Sequence, residues 1–152
     1  MNKFLKTLLS VLLVCTFMLC GCSGEKGPEE YEFTTERPST TLMPTVTYGC
    51  DLYTADLPSL KKMGGVMYRG EAFGELPDEA SAVKAAVKAV YEVYGDAFEG
   101  YEPLVCTYNK RADSWIVHGM PQDNRNTGVS FVALRKKTGE VVMLRKNPKD
   151  DK

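Results

Sequence analysis

The chain has 152 residues, of which 43% are hydrophobic and 26% charged, with a formal net charge of −1. That composition excludes a wholly disordered chain and supplies the apolar residues for one core. A charge so close to zero speaks against nucleic acid as a partner, because phosphate backbones select basic surfaces.

The amino terminus reads as an export signal. Lys3 and Lys6 precede an apolar run over residues 7–20, and no acid occurs before Glu25. A basic start and a short apolar core are the layout of a secretory signal. The run falls short of the roughly 20 apolar residues that a membrane span requires. It ends in Leu19-Cys20-Gly21-Cys22, which resembles the bacterial lipobox. The resemblance implies a signal peptide over 1–21, cleavage after Gly21 and diacylglycerol on the Cys22 sulfur. The protein would then sit on the extracytoplasmic face of the cell membrane, held by lipid on Cys22. Stable anchoring takes more than one acyl chain. Loss of Lys3 and Lys6 takes the formal charge from −1 to −3. Cys15 and Cys20 leave with the signal, so Cys50 and Cys106 remain. Export permits them to pair, but two cysteines define no framework.

Residues 22–47 read as a disordered tether, rich in Gly, Pro, Glu, Ser and Thr, that buries too little apolar surface to offset ordering entropy. Residues 48–75 read as an irregular lead-in. Tyr48, Leu52, Tyr53, Leu57 and Leu60 fit either a short helix or a strap over the domain. Gly64-Gly65 breaks that pattern before Val66-Met67-Tyr68, a candidate short strand.

The clearest element is a helix over 78–94. Asp78 suits the N-cap, where its carboxylate accepts from a free backbone N–H. Glu79 adds negative charge at the end the helix dipole favours. Ala80, Val83, Val87, Val90, Tyr91 and Tyr94 recur with a 3.6-residue period on one face. Gly95 follows at a position that often needs a left-handed backbone.

Beyond it the period changes to two. Strands are expected over 103–109, 114–119, 129–135 and 140–145. Turns are expected at 110–113 and at 136–139, where Gly139 is free to take a positive φ. Closing the first hairpin with Asn109 opposite Ser114 pairs Tyr108 with Trp115 and Cys106 with Val117. Leu104, Cys106, Tyr108, Trp115 and Val117 then share one face, and Val105, Thr107, Ile116 and His118 the other. The expected fold is α+β, with one main helix on a curved antiparallel sheet of about four strands. Residues 76–147 form that domain, and 148–152 a charged tail.

Chemistry is sparse. His118 is the only histidine, and neither an HExxH nor a paired CxxC motif occurs. No metal site is expected, since a structural zinc needs about four ligands, and no cofactor is implied. Cys106 and His118 would be the sharpest nucleophile pair, but the register puts them on opposite faces. Asp78 and Glu79 are explained by capping before acid–base work. Tyr91, Tyr94, Tyr108 and Trp115 are candidates for a ligand pocket, with core packing as the plainer role. Residues 120–128 form a polar loop of the kind that carries recognition.

Charge is uneven. Residues 71–102 hold eight acids against Lys84 and Lys88, whereas residues 135–152 hold seven basic residues against three acids. Such asymmetry marks either two solvated faces or a surface for a charged partner.

From Leu76 onward the chain resembles a family of small bacterial immunity proteins with a nuclear-transport-factor-2-like fold, which protect cells from polymorphic toxins. The matching stretches are Leu76-Pro77-Asp78-Glu79 at the helix start, residues 80–90 with Ala and Val at helical spacing, and Tyr94-Gly95 at its end. Pro103, Trp115-Ile116-Val117-His118-Gly119, Gly128 and Lys137-Thr138-Gly139-Glu140-Val141 follow in order. They cover about half the chain, residues 70–146. The family's loop often ends in paired glycines, whereas Val129 follows Gly128 here. The resemblance implies an abbreviated curved sheet wrapped by helices and a non-enzymatic protein that neutralises a protein toxin. The candidate partner surface joins Arg125 in the loop to Arg135, Lys136, Lys137 and Arg145. Two other readings compete: a PepSY-like exported module that restrains an envelope enzyme, and a small-ligand-binding lipoprotein using the aromatic set. Fold alone does not choose among them.

Overall fold

The computed structural model describes residues 31–37, 52–95, 98, 101–120 and 130–146. Their elements run β1 (Phe33–Thr34), α1 (Leu57–Met63), α2 (Glu79–Tyr94), β2 (Leu104–Asn109), β3 (Ser114–His118), β4 (Ser130–Arg135) and β5 (Val141–Lys146). The fold is α+β.

Helix α2 starts where its cap dictates. The Asp78 carboxylate accepts from the Ser81 N–H at 2.8 Å, and the Ser81 hydroxyl accepts from the Asp78 N–H at 3.3 Å. This reciprocal box satisfies N–H groups that have no partner within the helix. Gly95 ends the helix at φ 76°, and its N–H donates to the Tyr91 carbonyl. The buried stripe is the expected one only in part: Val83, Val87 and Val90 lie on it, and Ala80 and Tyr91 do not. Ala82, Val83, Ala85, Ala86, Val87, Ala89 and Val90 are buried, whereas Ala80 is exposed and Tyr91 is 49% exposed. At about 100° per residue, Tyr91 lies ~140° around the helix from Ala86. Alanines decide the docking face, because a small side chain lets the helix backbone approach the sheet.

The strands form one sheet in the order β1-β2-β3-β4-β5. Strands β2 to β5 are an antiparallel meander, and β1 adds to β2 in parallel. The sheet is therefore mixed and five-stranded, where about four antiparallel strands were expected. The hairpin register matches the sequence-based expectation: Asn109 faces Ser114, Tyr108 faces Trp115 and Cys106 faces Val117. In its turn Asp113 takes a φ of 48°, a left-handed conformation that Asp tolerates better than most residues. Gly139 takes the expected positive φ, 65°.

Two expectations for the amino-terminal half need correction. Residues 31–37, assigned to the tether, include β1, and the Glu32 carbonyl accepts from the Leu104 N–H at 2.7 Å. Backbone pairing leaves no mark in composition, so a polar stretch hides it. The lead-in contains a true helix, α1, capped by Asp56, whose carboxylate accepts from the Ser59 N–H at 2.9 Å. Pro58 occupies its first turn, where a missing N–H costs nothing. No strand forms at 66–68; instead the Gly65 and Val66 N–H groups both donate to the Leu144 carbonyl on β5.

Both sheet faces are consequently covered. Leu104, Cys106, Trp115, Val117, Val132, Leu134 and Leu144 pack with α2 and Phe98. Ile116, Phe131, Ala133 and Met143 pack with Leu60 and Met63 of α1 and with Leu52, Tyr53 and Ala55.

Candidate functional site

The aromatic residues do not converge on a pocket. Trp115 is 4% exposed, and its indole N–H donates to the Leu76 carbonyl at 2.9 Å. The Tyr108 ring lies 5.1 Å from it, and the Tyr108 hydroxyl donates to an Asp113 carboxylate oxygen at 2.6 Å. That bond to an anion raises the Tyr108 pKa. Tyr94 is half-buried under the Lys146 ammonium, and Tyr91 faces outward. Trp115 and Tyr108 are core and core edge, so a ligand pocket built from the four has no geometric basis among the described residues.

The basic residues separate as well. Arg135 reaches Asp113 at 4.0 Å. The Lys136 ammonium lies over the rings of Tyr108 (5.2 Å) and Trp115 (5.4 Å). Lys137 is exposed in the β4–β5 turn. Arg145 pairs in register with Phe131, at the opposite end of that hairpin from Arg135. Four residues separate Arg135 from Phe131, about 13 Å along a strand. Arg125 and Cys22 lie outside the described residues, as does Cys50. Among the described residues the basic side chains therefore do not form one patch: Arg135 and Lys136 are engaged with their own hairpin neighbours, Lys137 is exposed at the turn, and Arg145 is half-buried at the other end of the hairpin.

A groove of about 310 Å³ does exist elsewhere, between the end of α1, residues 64–68 and β5. A Lys61–Glu140 ion pair at 3.2 Å lines it, and Val66 and Met67 on its wall are 45% and 83% exposed. Both residues belong to the stretch expected as a short strand, and their exposure beside a groove was not foreseen, since a Val-Met pair carries no signal for which side it presents to solvent.

Cys106 is a free, buried thiol whose pKa rises to about 12, through burial and then the nearby Glu79 charge. A thiol held protonated is a poor nucleophile, and it lies on the α2 face while His118 lies on the other. Asp78 is exposed, and its bonds from Ser81 hold its pKa below the usual carboxylate value. That is a cap, not a general acid. Among the described residues no group of three or more His, Cys, Asp or Glu is placed to hold a metal ion, and no helix is long and apolar enough to cross a membrane.

The best-built polar cluster is one that sequence alone did not assemble. His118 is 1% exposed, between Tyr53 and Phe131. Its Nε2 lies 2.6 Å from the Tyr53 hydroxyl and its Nδ1 lies 2.8 Å from the Gly119 carbonyl. Arg37 covers the Tyr53 ring at 4.4 Å. Strand alternation predicts the face of His118, but its partner lies 65 residues away, beyond any local pattern. No family model, curated protein or solved structure matches the chain.

Proposed function

We propose that the chain is a lipid-anchored immunity protein, tethered through Cys22 at the envelope, that binds and neutralises a polymorphic toxin. The observation that carries this reading is the ordered set of stretches from Leu76 to Val141. Four of its residues fall at or next to structural boundaries: Asp78 caps α2, Gly95 ends it, Trp115 lies at the start of β3 and Gly139 sits in the turn from β4 to β5; Gly128 lies outside the described residues. The finer fold proposed is an abbreviated nuclear-transport-factor-2-like sheet. Toxin contact falls to Arg125 in the loop and to Lys137 and Arg145 on the hairpin, since Arg135 and Lys136 have local partners. Rim charges act mainly on association rate, so Lys137→Glu or Arg145→Glu slows toxin capture most at low salt.

The decisive experiment challenges cells with each toxin encoded beside the gene, with and without the chain. Protection is expected from the wild type and is expected to weaken for Cys22→Ser, which leaves the protein unanchored. Equal killing in all cases by every adjacent toxin sinks the reading.

One observation favours a second reading, the PepSY-like module that restrains an envelope enzyme. A strand precedes α2, strands follow it, and the space around Trp115 is filled by side chains. That suits a flat helix-on-sheet layer better than a deep cone. Co-purification with a peptidase or cell-wall enzyme, and with no toxin, would select it.

A further inference from the structure

We infer that the bilayer holding Cys22 faces the end of the sheet where Leu104 lies, and that the two hairpin turns at the opposite end form the surface open to a partner arriving from beyond the membrane. The inference rests on the proposed lipidation of Cys22.

The strand register defines the two ends. β1 runs parallel to β2, with Phe33 beside Leu104. Val105 faces His118, His118 faces Phe131, and Phe131 faces Arg145. One end of the sheet, the entry end, therefore gathers the starts of β1 and β2 and the finish of β5. The other gathers both turns: Asn109 faces Ser114, Ser114 faces Arg135, and the Lys136 N–H donates to the Asp113 carbonyl at 3.0 Å. Helix α2 spans the same two ends. The Leu76 N–H just before it donates to the Lys136 carbonyl, and Tyr94 at its finish lies under the Lys146 ammonium at 5.9 Å. Its 16 residues extend for about 24 Å, which sets the scale of the domain from turns to entry end.

The chain is fastened to the entry end as soon as it reaches Tyr31. The Tyr31 ring meets Phe98 edge-on at 6.5 Å, the Glu32 N–H donates to a Glu102 carboxylate oxygen at 3.4 Å, and the Glu32 carbonyl accepts from the Leu104 N–H at 2.7 Å. Nine residue steps lead from Cys22 to Tyr31, and they span at most about 32 Å. A tether running to residue 47, as composition suggests, would reach Tyr48 in 26 steps, up to about 94 Å, and leave the domain free to turn. The pin at β1 removes that freedom. For the turns to face the bilayer, the domain would have to stand between its own attachment point and the membrane, with the leash drawn over about 24 Å, three-quarters of its limit. So stretched, a chain keeps few of its conformations. With the entry end toward the bilayer it keeps most of them. Lys110 and Lys137 are exposed on the open end. An incoming toxin therefore meets Lys137 before Arg145, which lies beside the entry end.

Energy transfer in vesicles tests the orientation. The full chain, exported from a bacterial host with its own signal, is placed in phosphatidylcholine vesicles that carry an acceptor dye on a small fraction of headgroups. A donor dye is attached at Glu32→Cys or at Lys110→Cys, one site at a time. Both carry Cys50→Ser, and Cys106 is buried. The intact mass of each sample reads the lipid on Cys22 independently. Six strand steps, about 20 Å, separate the two sites, so the Lys110 donor should lie about 10–20 Å farther from the acceptor plane. Twenty Gly and Ser residues inserted after Ser23 should at least halve that difference. Lipid present with equal transfer from both sites, or with Lys110 the nearer, overturns the orientation alone. A difference that survives the longer leash overturns it too, since something other than the leash would then set it. A mass without lipid overturns the reading of Cys22 and the orientation with it. Should Glu32→Cys not fold, Glu102→Cys supplies the entry-end site.

Discussion

Asn109 is fully buried, and its side chain meets four backbone groups. Its amide nitrogen donates to the carbonyls of Leu52 (2.9 Å) and Ala55 (2.8 Å), and its oxygen accepts from the N–H groups of Arg111 (3.0 Å) and Ala112 (3.1 Å). One side chain thus shapes the β2–β3 turn and fastens the lead-in to the sheet. Asn109→Ala leaves carbonyls buried without donors, at about 1–3 kcal/mol for each group that water does not reach. Urea denaturation should show a loss of about 3 kcal/mol. Thr107 is the opposite case: its hydroxyl is buried and has no partner among the described residues. Thr107→Val removes an unsatisfied group and suits a strand, so stability should hold or rise by up to about 1 kcal/mol. Cys106, protonated and buried, should resist iodoacetamide at pH 8 until the protein is unfolded, as mass spectrometry of native and urea-treated samples would read. Native-state labelling as fast as that of a free thiol contradicts the burial.

At the scale of elements, the turns and caps explain where the chain changes direction. Gly139 and Gly95 both have positive φ, 65° and 76°, but their surroundings differ. A Cβ on Gly139 would come within 2.5 Å of the Gly74 carbonyl oxygen, whereas among the described residues nothing lies within 4 Å of one on Gly95. The Phe73 N–H donates to the Gly139 carbonyl and the Gly74 N–H to that of Thr138, so this turn is clamped by the chain leading to α2. Gly95→Ala should cost only the conformational penalty, about 1 kcal/mol. Gly139→Ala adds a backbone clash and should cost about 2–3 kcal/mol or more. Thermal melts of the two variants give the comparison, and equal costs would show that the Gly74 contact does not constrain the turn.

For the whole molecule, the distance between α2 and the sheet is set by small side chains. Ala82, Ala86 and Ala89 have no exposed surface. Ala86→Leu forces the layers apart and should destabilise by about 1–3 kcal/mol. Ala80→Leu, on the exposed side, should change stability by less than about 0.5 kcal/mol, and denaturant midpoints will separate them. Local rules made α2, β2 to β5 and the first hairpin register readable, because caps, period-two alternation and turn chemistry act within a few residues. The same rules placed Cys106 and His118 on opposite faces. They did not reach β1, the Tyr53–His118 bond, the Asn109 anchor or the burial of Ala86 in place of Tyr91. Nor did they reveal that the basic residues divide between the ends of one hairpin. Those features depend on which distant segments the chain brings together. Short-range stereochemistry is written into neighbouring residues, whereas the second layer, the buried polar contacts and the outward charges exist only once the sheet has closed on both faces.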